Sequence, residues 1–186
     1  MDSNILICYK SVTGFTKRYA EMIAKEAGGT LMALEDVTPE ALKPCDIVVF
    51  GGRFHAGAVD GLKRMKALLA KGRTQTFIVF ATGAMPITAA ETIRQAWEGN
   101  FTAQELRQIP HFYLPGGLRY EKMPLHERAM MRAFAAVMKG KINRKKEKTA
   151  QDEAFVQMIG TSYDLSAEQY IEPLVSCLKE KTGARG

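Results

Sequence analysis

The sequence predicts an α/β chain: a five-stranded parallel sheet in the order 2-1-3-4-5, with helices on both faces and a basic helical insertion after the fifth strand. Three observations lead there. Residues 5–9 (Ile-Leu-Ile-Cys-Tyr), 46–50 (Asp-Ile-Val-Val-Phe) and 76–81 (Thr-Phe-Ile-Val-Phe-Ala) are short, nearly unbroken apolar runs, as strands covered on both faces require. Apolar residues at helical spacing separate these runs. Strands alternating with helices imply right-handed crossovers, and five of them in this order put a switch point between the first and third strands.

The elements follow in chain order. After the strand at 5–9, Tyr19, Ala20, Ile23, Ala24 and Ala27 form the stripe of a helix over 16–27, closed by Gly28-Gly29. Residues 30–34 read as the second strand, and 36–44, with two prolines, as a connection. The third strand, 46–50, stops at Gly51-Gly52; a loop over 51–57 leads to a helix over 58–71 with Leu62, Met65, Leu68 and Leu69 on one stripe. The fourth strand, 76–81, exits through Thr82-Gly83-Ala84-Met85-Pro86 into a helix over 87–97, with Thr88 in its first turn. His111-Phe112-Tyr113-Leu114 is the fifth strand, with Pro115-Gly116-Gly117 its exit. A last helix, 166–181, is capped by Ser166 and buries Tyr170, Ile171, Leu174, Val175 and Leu178.

A chain of 186 residues, 46% of them hydrophobic, fits one domain over 1–186 with a sizeable core. Its apolar runs are too short to span a bilayer and Met1-Asp2-Ser3-Asn4 lacks signal-peptide features, so a cytoplasmic location is expected. Cys8, Cys45 and Cys177 are widely spaced and odd in number, which suits reduced thiols rather than a disulfide framework or a zinc site, and no metal is expected. The net charge of +6 is uneven: residues 117–150 hold ten Lys or Arg against three Glu, a net +7, which leaves −1 for the rest.

Chemistry points first to Ser11-Val12-Thr13-Gly14-Phe15-Thr16. A strand-to-helix turn presents backbone N–H groups at the positive end of a helix, and Ser11, Thr13 and Thr16 add hydroxyls. Gly14 allows a positive φ. A cluster of helix caps and a phosphate site are both consistent with these residues. There is no G-x-G-x-x-G and no Walker lysine, so an anion here is the terminal phosphate of a mononucleotide rather than a pyrophosphate. The expected order brings the loops at 10–16, 51–57 and 81–86 to one sheet edge, the first suited to a phosphate and the others to a flat ring.

At these residues the sequence resembles the flavodoxin family, whose phosphate loop [ST]-x-T-G-x-T matches Ser11 to Thr16 at each specified place. The resemblance implies FMN, with Ser11, Thr13, Gly14, Phe15 and Thr16 around the phosphate. It implies that Gly52, Arg53, Phe54 and His55, and Ala81, Thr82, Gly83 and Met85, flank the isoalloxazine. Electron-carrying flavodoxins are typically acidic near the ring, whereas this loop reads Gly-Gly-Arg-Phe-His-Ala-Gly. A cationic Arg53 is expected to favour the anionic reduced flavin and make the hydroquinone easier to reach. Phe54 is read as either stacking on the ring or packing, and His55 as a donor to flavin or a solvated loop residue.

The segment from Pro115-Gly116-Gly117-Leu118-Arg119-Tyr120 onward, an insertion over about 117–160, is similar in layout to menaquinone-dependent protoporphyrinogen dehydrogenases of heme biosynthesis. Within the basic helix at 124–148, Leu125, Ala129, Met131, Phe134, Ala135, Val137 and Met138 are available for one apolar face. Such a helix suits an anionic membrane face or the cover of a substrate, and equally a surface helix followed by a solvated basic loop. FMN would carry the redox chemistry in either setting, with a redox partner protein or a small-molecule or quinone acceptor, and no side chain is expected to act as an acid or base catalyst. Nucleic-acid binding is disfavoured, because only Tyr120 and Phe134 interleave the basic residues.

Overall fold

The structure, a computed structural model, describes residues 3–72, 76–145, 147 and 149–183. Its strands are β1 (Ile5–Tyr9), β2 (Thr30–Ala33), β3 (Ile47–His55), β4 (Ala58–Val59), β5 (Thr76–Gly83), β6 (His111–Pro115), β7 (Gly117–Leu118) and β8 (Tyr163–Asp164). Five of them pair in the order β2-β1-β3-β5-β6, all parallel, which is the expected topology. Ile7 sits between Leu31 and Val49 in this register.

Helices α1 (Phe15–Ala27), α2 (Pro39–Leu42), α3 (Leu62–Leu69), α4 (Ala90–Glu98), α5 (Ala103–Gln108), α6 (Leu125–Asn143), α7 (Ala150–Gly160) and α8 (Glu172–Gly183) complete the chain. Period-two alternation divides the core between the sheet's faces. Ile7, Val49, Ile78, Phe80 and Leu114 pack on one side with Tyr19, Ala20 and Ile23 of α1 and Leu174, Val175 and Leu178 of α8. Leu6, Cys8, Val48, Phe50 and Val79 pack on the other with Leu62 and Met65 of α3 and Ile93 and Trp97 of α4. Cys8 and Cys45 are buried as expected, and none of the three cysteines is in a disulfide. Burial, with a smaller contribution from Cys45, pushes the Cys8 thiol up to about 12, so it is inert at neutral pH.

The third strand does not stop at Gly51-Gly52. Both glycines stay in the ladder opposite Phe80 and Ala81, and β3 continues through Arg53 and Phe54 to His55. A side chain at Gly51 would put its Cβ 2.0 Å from Phe80 Cζ, so the glycine serves close packing rather than chain reversal. The chain then turns back on β4, pairing Phe54 with Val59 and His55 with Ala58, and α3 begins at Leu62 instead of residue 58. Ala56 and Gly57 make the turn with φ of 49° and 83°, the signs of a type I′ hairpin. An alanine is strained there, so Ala56→Asn is expected to stabilise the protein by about 0.5–1 kcal/mol in urea unfolding.

Other boundaries shift for local reasons. Ala89 N–H bonds the Pro86 carbonyl at 3.0 Å, a turn that delays α4 to Ala90 and leaves Thr88 ahead of it. The last helix begins at Glu172 after a 3-10 turn over Glu168–Ile171, so Ser166 is not its cap; Ser166 instead bonds Asp164 and Arg18. Its apolar stripe is placed as expected, with Ile171, Leu174, Val175 and Leu178 buried. Helices α5 and α7 were absent from the sequence reading, although each carries a capping box, Thr102 with Glu105 and Thr149 with Asp152. Outside the central sheet, β7 and β8 pair antiparallel and join the two ends of the insertion. Of its basic residues, Lys146 and Lys148 lie outside the described residues.

Candidate functional site

The turn between β1 and α1 is not a cluster of helix caps. Gly14, immediately before the helix, has φ of 95°, and no side chain caps α1. Thr16 Oγ1 lies 2.8 Å from Thr82 Oγ1, a buried link that ties the first loop to the exit of β5. The Ser11 hydroxyl is buried with no hydrogen-bond partner among the described residues. Thr13 is 9% exposed and borders a cavity. A buried hydroxyl without a partner is costly, and a ligand with acceptor oxygens at this turn would satisfy it.

The cavity has a volume of about 330 Å³ and opens at the carboxyl end of β3 and β5. Of the residues expected around a ligand, Thr13, Phe15, Arg53, Phe54, His55, Thr82 and Gly83 line it. Ser11, Gly14, Thr16, Gly52, Ala81 and Met85 do not reach its wall. Gly52 and Ala81 lie inside the paired strands, and Met85 accepts a 2.7 Å hydrogen bond from Tyr113 Oη on its carbonyl while packing on the core. Phe54 borders the cavity and also packs edge-on against Trp97 at 4.9 Å, so the packing expected for it is present. A groove of equal volume between α1 and α8 is lined by solvated Lys25, Glu26, Glu168, Glu172 and Lys179 and lies away from every strand exit.

Besides Ala56 and Ala84, the rest of the wall comes from the insertion and its base: Leu118, Met123, Glu127, Met130, Met131 and Phe134, with Gly116 and Gly117 beside Phe15. Helix α6 therefore covers the cavity, and its apolar residues do not share one face. Ile142 is buried at the helix end and Met131 is half-buried, whereas Leu125, Met130, Phe134 and Val137 are exposed. Gly117, at φ 150°, passes so close to β8 that a Cβ would stand 2.1 Å from the Tyr163 carbonyl oxygen. Tyr163 reaches from β8 to donate its hydroxyl to the Ala84 carbonyl at 2.7 Å. Burial, with the nearby Tyr120, pushes the Tyr163 phenol up to about 12, so it remains a donor at neutral pH.

Arg53 does not offer a free positive charge, which corrects the sequence reading. Its Nε donates to Asp60 Oδ2 at 2.7 Å, and its two terminal nitrogens donate to Glu127 at 2.9 and 2.6 Å. The three side chains are 10–22% exposed and together carry −1. The hydrogen bonds from Arg53 hold the Glu127 carboxyl below its usual range although burial pushes the other way, with Arg53, His55 and His126 nearby also favouring the charged form. His55 lies at the edge of the same group, 3.7 Å from Asp60 and 4.0 Å from Glu127. The group therefore presents a net negative charge at this edge of the cavity, where the expectation for Arg53 assumed an unpaired cation.

A parallel sheet of this order, with a hydroxyl-rich turn leading into α1 beside its switch point, defines a doubly wound α/β protein. The flavodoxin domain model matches residues 6–145, and the chain belongs to the flavodoxin family. Among solved structures it is similar to a flavodoxin from the domain Archaea, at 14% identity over 95% of this chain and 99% of that one, with a TM-score of 0.42. It is also similar to a flavodoxin, WrbA-like protein from Agrobacterium tumefaciens, at 15% identity over 96% and 99% of the two chains with a TM-score of 0.38. Two-electron reduced Megasphaera elsdenii flavodoxin shares 15% identity over 66% of this chain and 89% of its own, with a TM-score of 0.42. No curated protein matches the sequence. Among the described residues, no helix is long and apolar enough to cross a membrane.

Proposed function

We propose that the chain is a flavin-binding redox protein that holds FMN, working as one domain with an insertion that walls its site. The observation that carries this reading is the buried, unpartnered Ser11 hydroxyl in a Gly14 turn that uses no side-chain cap. Ser11, Thr13, Gly14, Phe15 and Thr16 would surround the phosphate. Arg53, Phe54, His55, Thr82 and Gly83 would border the ring, with Gly52, Ala81 and Met85 supporting it from the strands and loop behind. Bound FMN would supply one- and two-electron chemistry to a partner protein or a small acceptor; the chain's own residues bind it, exclude water and set the local charge.

An absorption spectrum of the purified protein, with identification of the released nucleotide, tests the reading. A flavin spectrum and FMN are expected; a colourless protein that also fails to bind added FMN overturns it. Glu127→Gln removes a carboxylate beside Arg53 and is expected to raise the flavin midpoint potential by on the order of tens of millivolts in a spectroelectrochemical titration.

A second reading, an enzyme similar to menaquinone-dependent protoporphyrinogen dehydrogenases, draws support from α6. The helix lines one side of the cavity with Met130, Met131 and Phe134, an apolar wall that suits a small-molecule substrate. It also leaves Leu125 and Val137 80% and 55% exposed, with exposed Arg132 and Lys139 nearby in the sequence, as contact with an anionic membrane would require. Anaerobic reduction of the bound flavin by protoporphyrinogen, followed by reoxidation with a quinone, checks it; absence of turnover removes it.

A further inference from the structure

Arg119 follows β7 and lies against the phosphate-type loop. Its Nη1 donates to the Thr13 carbonyl at 3.2 Å and lies 3.1 Å from the position a Cβ on Gly14 would take. Its guanidinium rests over the Phe15 ring, with Cζ 4.1 Å from the centroid. Nη2 donates to Asp164 Oδ2 at 3.0 Å, and the same oxygen accepts Arg18 Nη1 from α1 at 2.9 Å. Two guanidiniums thus share one carboxylate, leaving a net +1 beside a loop that already holds an unpartnered hydroxyl.

This arrangement is more than a tether. An arginine has five N–H donors in a planar fork, and the contacts with Thr13 and Asp164 occupy only part of it. The Arg119 side chain is 20% exposed, so its charge acts across partly desolvated space. Phe15 fixes the guanidinium plane, and the antiparallel pairing of β7 with β8 fixes its origin.

We infer that Arg119 is a phosphate-binding residue supplied by the base of the insertion, with Asp164 as its resident counter-ion, and that it makes the site select a phosphorylated flavin over riboflavin. The inference rests on the FMN reading and names the residue that sets its specificity. Because β7 and β8 close the insertion, the same residue also couples cofactor binding to the order of the segment carrying α6.

The test titrates FMN and riboflavin separately into the full-length apo chain and its variants, following flavin fluorescence. Arg119→Ala is expected to weaken FMN binding roughly tenfold or more, to flatten its salt dependence, and to leave riboflavin within about twofold. Arg119→Lys should recover part of the loss, since it keeps the charge but not the fork. Asp164→Asn, which frees both guanidiniums, should tighten FMN and leave riboflavin unchanged, and it keeps the test intact if Arg119→Ala does not fold. A purely structural Arg119 predicts equal losses for both flavins in Arg119→Ala and Asp164→Asn, and that result overturns the inference while leaving the FMN reading standing. Undiminished FMN affinity in Arg119→Ala does the same. A wild-type chain that binds neither flavin removes both.

Discussion

Replacing Arg53 by Met is expected to destabilise the protein by about 3–5 kcal/mol at neutral pH, because it leaves two carboxylates without their cation in a partly buried site. Glu127 is only 8% exposed, so its carboxylate is largely desolvated where Arg53 holds it. The pH dependence follows from the sign of its shift. In the wild-type protein the Glu127 pKa is depressed, so its contribution is present above the unfolded carboxylate pKa near ~4.3 and is lost as pH falls through the folded value. In Arg53→Met the largest lowering influence is gone, so burial, opposed only by the weaker effects of His55 and His126, lifts that pKa above its wild-type value, and the deficit should be largest at pH 7 and shrink toward pH 4. Urea unfolding at the two pH values measures this, and amide exchange over residues 125–143 reports whether α6 detaches. Combining Arg53→Met with Glu127→Leu should recover the part of the loss that comes from Glu127, since an apolar pair there needs no counter-ion, while the part from Asp60 remains. An equal deficit at both pH values would sink the account.

The Ser11→Ala, Thr13→Val double variant is expected to weaken FMN binding by roughly 10–100-fold, because a buried phosphate oxygen would lose charge-assisted donors. Riboflavin affinity should hardly change. The apo protein should keep its stability within about 0.5 kcal/mol, since no side chain caps α1, whereas loss of a true cap costs about 1 kcal/mol. Isothermal titration with both flavins, paired with apo melting curves, separates the two roles. A stability loss with unchanged FMN affinity would return these residues to structural duty.

These expectations differ in how far the sequence alone could have reached them. The Ser11 to Thr16 turn was legible because its information is local: hydroxyls, a glycine and a strand-to-helix switch lie within six residues. The three inner strands, β1, β3 and β5, were legible for a similar reason, since burial on both faces leaves a continuous apolar run that few other elements produce. Gly51-Gly52 misled because glycine usually marks a break, whereas here it admits Phe80 against the backbone of a continuing strand. The insertion's share of the cavity wall was illegible. Helix α6 is apolar around much of its circumference, so periodicity could not say which residues turn inward.

The sequence by itself determined the strands and helices and the hydroxyl-rich loop, because each depends on patterns with a short period along the chain, and the class of fold and strand order followed from their alternation. Tertiary structure alone decided the electrostatics of the site. Arg53 and Glu127 are 74 residues apart, and Arg119 stands 106 residues from the Thr13 carbonyl it bonds. Net charge assigns neither pairing, for a guanidinium's effect depends on which carboxylates stand within a few ångströms, and only the folded chain brings them there.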